Sequence, residues 1–140
     1  MENFDKSNCV YFLMGGNPII QRELIIKNNL FDEIKNYNGL VIGFCAGAIN
    51  LSKYSIITTD NDFEKSDYLG LDRIHFCIEP CYNKTESESA LERRNNEINE
   101  FVEKYNTEVI AIPDESIIVV EDDKIFEYGM NYHFKIKNGN

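Results

Sequence analysis

The sequence predicts an α/β domain built on a mainly parallel sheet and closed by a C-terminal β-hairpin. Three observations carry that expectation. Short apolar runs at 9–14 and 40–44 each lead through small residues into a helix-forming stretch. A long amphipathic segment at 86–105 stands between two further β-rich runs. The last quarter of the chain holds short β-rich segments around an acidic turn. Strands alternating with helices in this way call for parallel pairing through crossovers.

Each element has its own signal. Residues 9–14 (CVYFLM) stop at Gly15-Gly16, as a buried strand would. Asn17-Pro18 follows, an N-cap residue and then proline at the first helical position. Ile19, Ile20, Leu24, Ile25, Leu30, Phe31 and Ile34 recur at helical spacing through 19–37, with Asn28-Asn29 dividing the stretch into two helices. Residues 40–44 (LVIGF) are a second buried strand, and Cys45-Ala46-Gly47-Ala48 opens a short helix towards Ser52. Residues 55–59 are β-rich and lead into an acidic loop over 60–67. A third strand is expected at 74–78, stopped by Pro80. The helix at 86–105 turns Leu91, Ile98, Phe101 and Val102 inward. Residues 109–112 form a strand, 116–120 and 124–128 a hairpin over Glu121-Asp122-Asp123, and 132–136 a last strand.

Composition bounds the function. The 140 residues suit one domain, and 43% hydrophobic content is enough to bury a core. Fourteen Lys and Arg against 24 Asp and Glu give a net charge of −10, which argues against nucleic-acid binding. There is no apolar run of membrane-spanning length. The N-terminal MENFDKSN lacks the basic and apolar regions of a signal peptide, so the expected location is the cytoplasm. Cys9, Cys45, Cys77 and Cys81 are then expected as thiols. The segment from His75 to Cys81 lacks the paired spacing of a zinc site, and neither a metal nor another cofactor is expected.

The informative stretch is Gly43-Phe44-Cys45-Ala46-Gly47, set between a strand and a helix. Gly-x-Cys-x-Gly in that setting is the pattern of a nucleophile elbow with Cys in place of Ser. The nucleophile sits on a strained turn, so its neighbours two residues away on either side must be tiny. A thiol presented at a helix N-terminus is expected to ionise more readily than a free one. The Ala46 N–H is placed to donate to an oxyanion. The same string also suits a buried structural cysteine on a tight turn.

These residues, with others in the same order, resemble the dipeptidase E / cyanophycinase family of serine peptidases. That family has a three-layer, class I glutamine amidotransferase-like or flavodoxin-like fold. Phe12-Leu13-Met14-Gly15-Gly16-Asn17 resembles its Gly-rich strand end, which implies an oxyanion role for Gly16 and a substrate-binding role for Asn17. Gly43-Phe44-Cys45-Ala46-Gly47-Ala48 is similar to its Gly-x-Ser-Ala-Gly-Ala elbow. Thr58-Thr59-Asp60-Asn61-Asp62 resembles the loop of the triad acid, and Asp60, Asn61 and Asp62 compete for that position. Ile78-Glu79-Pro80-Cys81-Tyr82 is similar to the segment that ends at the triad histidine, which places Cys81 where the base would be. Arg94 falls where the dipeptidases recognise an acidic substrate side chain, although an intrahelical ion pair would also explain it. Ile112-Pro113-Asp114-Glu115-Ser116 resembles a conserved turn of the family. Glu79 is read as a strand-end hydrogen-bonding group and Tyr82 as a packing residue.

The resemblance implies a hydrolase whose chemistry has changed. A Cys can ionise without the help that a Ser needs, so Ser→Cys is the exchange that tolerates loss of the histidine. The histidine also protonates the leaving amine, which a neutral thiol does poorly, so amide hydrolysis is expected to be slow. His75 lies too far back along its strand to substitute, and the position of His133 cannot be read from the sequence. Three readings follow: a thiol-dependent hydrolase of small peptides or acidic small molecules, a catalytically degenerate binding module, and a redox dithiol of Cys45 and Cys81. The family's strands before the Gly-Gly turn are missing here, which implies an open sheet edge and a homodimer.

Overall fold

The structure is a computed structural model that describes residues 8–60, 63–82 and 87–137. Tyr11–Leu13 (β1) and Val41–Gly43 (β2) pair in parallel, with Tyr11 opposite Val41 and Leu13 opposite Gly43. Parallel pairing needs a crossover. Pro18–Lys27 (α1) and Phe31–Asn36 (α2) supply it. The Asn17 Oδ1 accepts the N–H of Ile19 at 3.0 Å and of Ile20 at 3.1 Å, and Pro18 fills the first helical position. The break between the helices falls where the asparagines predict it, with Asn29 at φ 56. Strand alternation sends Tyr11, Leu13 and Val41 under these helices, where they meet Ile25, Ile34 and Leu71. Phe12 and Ile42 point from the other face and stay exposed.

Beyond Ala46–Leu51 (α3), Tyr54–Ile57 (β3) pairs antiparallel with Ser66–Leu69 (β4). β4 lies partly inside the stretch expected as an acidic loop. Its sequence, SDYL, carries little apolar alternation, and pairing with β3 makes it a strand. Asp67 on β4 accepts from Lys104 Nζ and Tyr105 Oη, both at 2.6 Å. Those bonds hold its carboxyl below the usual carboxylate range.

The third expected strand is displaced. It runs over Cys77–Pro80 (β5), and Ile74 makes only an isolated bridge to Ser52. The strand stops at Pro80 as expected, and because β5 is an edge of its sheet the proline can pair as its last residue without removing an interior ladder bond. β5 runs parallel to Val109–Ile112 (β6), with Pro80 opposite Ile112. Glu88–Tyr105 (α4) is the crossover, capped by the Ser87 Oγ and ended by Asn106 in the left-handed region. Ile98, Phe101 and Val102 of α4 pack on Ile56, Cys77, Tyr82, Val109 and Ala111. Phe76, Ile78 and Ile110 form a cluster with Ile112 and Ile118.

Ile117–Glu121 (β7) and Lys124–Tyr128 (β8) make the hairpin. Its two-residue turn, Asp122-Asp123, has φ 49 and 60, the pairing that matches strand twist. Tyr132–Phe134 (β9) adds antiparallel to β6 and ends two residues before 136. The result is an α/β fold in which helices cross over between parallel strands and antiparallel strands extend the sheets. Among the described residues, no helix is long and apolar enough to cross a membrane.

Candidate active site

Phe44 and Cys45 join β2 to α3, and Cys45 is the N-cap residue, at φ 51 and ψ −111. A non-glycine residue is held there only when its surroundings enforce it. The Phe44 N–H still donates to the Leu13 carbonyl at 2.9 Å, extending the β1–β2 ladder. The Gly47 N–H already donates to the Phe44 carbonyl at 2.9 Å and the Ala48 N–H to the Cys45 carbonyl at 3.0 Å, so helical bonding begins at once. The chain must therefore reverse direction within Phe44 and Cys45. Both flanking glycines are required for this. A Cβ on Gly43 would lie 2.8 Å from the Ala48 backbone, and one on Gly47 would lie 2.0 Å from the Leu13 carbonyl oxygen. The Ala46 N–H is the first amide of α3 and donates no backbone bond among the described residues.

The Gly15-Gly16 turn lies beside this thiol. A Cβ on Gly15 would touch the Cys45 Cβ at 3.4 Å, and Gly16 has φ 128, a conformation that suits glycine. Gly15 is thus the residue that packs on the cysteine, whereas the resemblance gives the oxyanion role to Gly16. The Asn17 amide oxygen is occupied in capping α1.

Cys81 follows β5 directly, also at positive φ, 54. Its Sγ lies 3.9 Å from the Cys45 Sγ, so the β2 and β5 ends bring the two thiols into contact. The residue is exposed, but its sulfur faces Cys45 in a shared cleft. Desolvation, the adjacent Cys45 and the Asp114 carboxylate push the Cys81 thiol up to about 11, against the pull of Arg94. Asp114 is the acidic residue that this geometry adds to the site. The sequence shows it only as part of a turn motif. The cleft, of about 820 Å³, is lined by Cys45, Cys81 and Asp114 together with apolar side chains such as Phe12, Ile42 and Ile117.

Among the described residues, Arg94 is turned inward and its ion pair is with Glu79, outside its own helix. Its Nε donates to the Glu79 Oε1 at 2.6 Å, its Nη2 to the Pro80 carbonyl at 2.8 Å and its Nη1 to the Cys81 carbonyl at 3.2 Å. The Arg94 side chain is 12% exposed and that of Glu79 3%. Thr58 Oγ1 donates to the same Glu79 oxygen at 2.7 Å. The guanidinium that the resemblance assigns to an acidic substrate therefore grips the backbone that carries Cys81. Tyr82 is buried beneath it, 5.4 Å from ring centroid to guanidinium.

Of the acid candidates, Asp60 is exposed and its Oδ1 accepts the Phe63 N–H at 2.8 Å. Asn61 and Asp62 lie outside the described residues. Thr59 before them is fastened to Glu97 of α4 through its N–H and its hydroxyl, each at 2.7 Å. Neither histidine bonds to the cysteines. His75 is largely exposed and sits 3.5 Å from Asp123. His133 is bound on both nitrogens, to Glu108 at 2.6 Å and Glu127 at 2.7 Å. Partial burial pulls its imidazole down, but the two carboxylates reverse this and raise it above the ordinary value. Cys77 is fully buried and its thiol is pushed up to about 12 by desolvation, so it is an inert packing group.

Fold and site together define a flavodoxin-like α/β protein that presents a thiol on a strained strand–helix turn. The chain belongs to Peptidase family S51, whose sequence profile matches residues 3–128. Among solved structures it is similar to a candidate peptidase E protein from Listeria monocytogenes EGD-e, with a TM-score of 0.58 and 18% identity. That likeness covers 85% of this chain and 58% of the other. No curated protein matches the chain.

Proposed function

We propose that the protein is a thiol-dependent hydrolase of peptide or amide bonds with altered, weak activity, and that Cys45 is its nucleophile. The observation that supports this best is Cys45 at positive φ beside the Ala46 amide, on a cleft shared with Cys81. The Cys45 sulfur attacks a carbonyl carbon, and the oxygen that becomes negative is met by the Ala46 N–H and the Gly15-Gly16 turn. Collapse expels the leaving group and leaves a thioacyl enzyme for water to hydrolyse. An amine leaving group must take up a proton. Cys81 is the nearest donor, and a thiol held at about 11 is a reluctant one. Loss of one triad member lowers rates by on the order of 10⁴. Aryl esters and thioesters need no such proton and are therefore the better substrates. Small peptides and acidic small molecules are the natural class, with Asp60 or Asp62 in the acid role and Asn17 towards the ligand.

The test compares an aryl ester with an Asp-X dipeptide. Ester turnover that is lost in Cys45→Ala, with dipeptide hydrolysis absent or very low, supports the reading. Cys81→His should raise amide hydrolysis. Ester turnover that survives Cys45→Ala would overturn it.

The second reading is a binding module of the same family. It is favoured by the absence, among the described residues, of a histidine or carboxylate bonded to Cys45. Inertness towards both substrates would select it. We also propose a cytoplasmic homodimer, joined at the open edge of the β1–β2 sheet.

A further inference from the structure

We propose that Cys45 and Cys81 form a reversible intramolecular disulfide, written by a hydroperoxide and erased by a small thiol, that closes the site. The chemistry rests on the thiol pair alone. Only the claim that it regulates hydrolysis rests on the reading above.

Three observations bring the pair together. First, the sulfurs are already in contact at 3.9 Å. A disulfide bond is about 2.05 Å long, so each sulfur needs to move by roughly 1 Å. Second, both backbones are fixed independently of the sulfurs. Gly43 and Gly47 lock the Cys45 turn, and Arg94 holds the Pro80 and Cys81 carbonyls from α4. The 3.9 Å contact is thus made by two side chains whose backbones are both held in place. Third, the pair is reachable, because Cys81 is exposed and the cleft opens on both residues. Accessible pairs of this kind are the labile disulfides, whereas enclosed ones resist reduction.

The step balances as follows. The Cys45 thiolate attacks one oxygen of the hydroperoxide, breaking the O–O bond. Cys45 becomes a sulfenic acid, and hydroxide, or alkoxide from an alkyl hydroperoxide, departs. The Cys81 sulfur then attacks the Cys45 sulfur, its proton leaves with the sulfenic oxygen as water, and the S–S bond forms. The two thiols together lose two electrons and the peroxide gains them. A small thiol reverses the result by two exchanges. Cys81 suits the second role by position, its sulfur lying 3.9 Å from the Cys45 sulfur.

The experiment treats the reduced protein with equimolar hydrogen peroxide and reads intact mass, peptide maps and labelling of Cys45 by iodoacetamide. A mass lower by two hydrogens, a Cys45–Cys81 linked peptide, lost labelling and full recovery with dithiothreitol are expected. Cys81→Ser should instead gain oxygen at Cys45 and be trapped by dimedone, while Cys9→Ser should behave as the parent. A link to Cys9 or between two chains overturns the proposal, as does wild-type Cys45 taking two oxygens while Cys81 stays free. Labelling reports closure whether or not the protein hydrolyses anything, so failure of the hydrolase reading is seen separately as absent ester turnover. Ester turnover that persists in the linked protein overturns the regulatory claim.

Discussion

The half of the molecule around α4 and the half around β1 and β2 are built to different standards. Under α4, Ile98, Phe101, Val102 and Val109 are almost fully buried, and Glu79, Arg94 and Thr58 bond to one another. Around β1 and β2, one face is packed beneath α1 and α2, but Phe12, Met14, Ile42 and Phe44 lie 40–65% exposed on and beside the other. The cysteines come from the two sides of this divide. Cys45 is carried by β2 and Cys81 by β5, and their contact joins the well-packed half to the half with a bare face. A site assembled in this way has one closely packed wall and one whose apolar surface is exposed.

The comparison predicts unequal costs of substitution. Phe101→Ala should be the most damaging, lowering stability by about 3–5 kcal/mol in urea unfolding, because its site under α4 cannot collapse. Loss of less than 1 kcal/mol would mean that this half is as loosely packed as the other. Next comes Arg94→Ala, which leaves the buried Glu79 carboxylate without its guanidinium and should cost about 3 kcal/mol. It should also free the Cys81 backbone and slow peroxide-driven closure, a readout that lost stability alone would not move. A smaller effect is expected on the bare face. Phe12→Ser should stay within about 0.5 kcal/mol for the monomer. If the face joins two copies, the same change shifts sedimentation equilibrium towards the 16.3 kDa species; an unchanged mass distribution would rule out that interface.

The smallest effect is a pH dependence in the well-ordered half. The folded pKa of His133 is raised above its unfolded value of about 6.5 by Glu108 and Glu127. Its contribution is therefore complete below that unfolded value and disappears as pH rises through the folded one. His133→Gln should flatten the fall in melting temperature across that window. An unchanged slope would show that the two carboxylates do not stabilise the imidazolium.

Much of the site was legible because its signals are local. Gly-x-Cys-x-Gly describes a turn whose steric demands fall on residues two apart, and the Asn17-Pro18 cap acts over one helical turn. The parts that were not legible depend on distant partners. Nothing in Ser66-Asp67-Tyr68-Leu69 marks a strand until Tyr54–Ile57 lies beside it. Arg94 reads as a surface charge on a helix rich in acidic residues, and only the approach of Glu79 across the fold makes it a buried clamp. Asp114 is one more acidic residue in a turn until that turn packs next to Cys81.

The sequence by itself determined the α/β class, the strand–turn–helix at Cys45, the amphipathic face of α4 and the membership of the chain in a peptidase family. Each rests on a repeat, a cap or a steric rule that acts within a few residues along the chain. The tertiary structure alone decided how near the two thiols lie, that His133 is held by Glu108 and Glu127 away from them, and that Arg94 holds the Cys81 backbone. The reason is physical: those relations join residues up to 36 positions apart. Distances of that kind are fixed by how strands and helices pack against each other, which no local preference specifies.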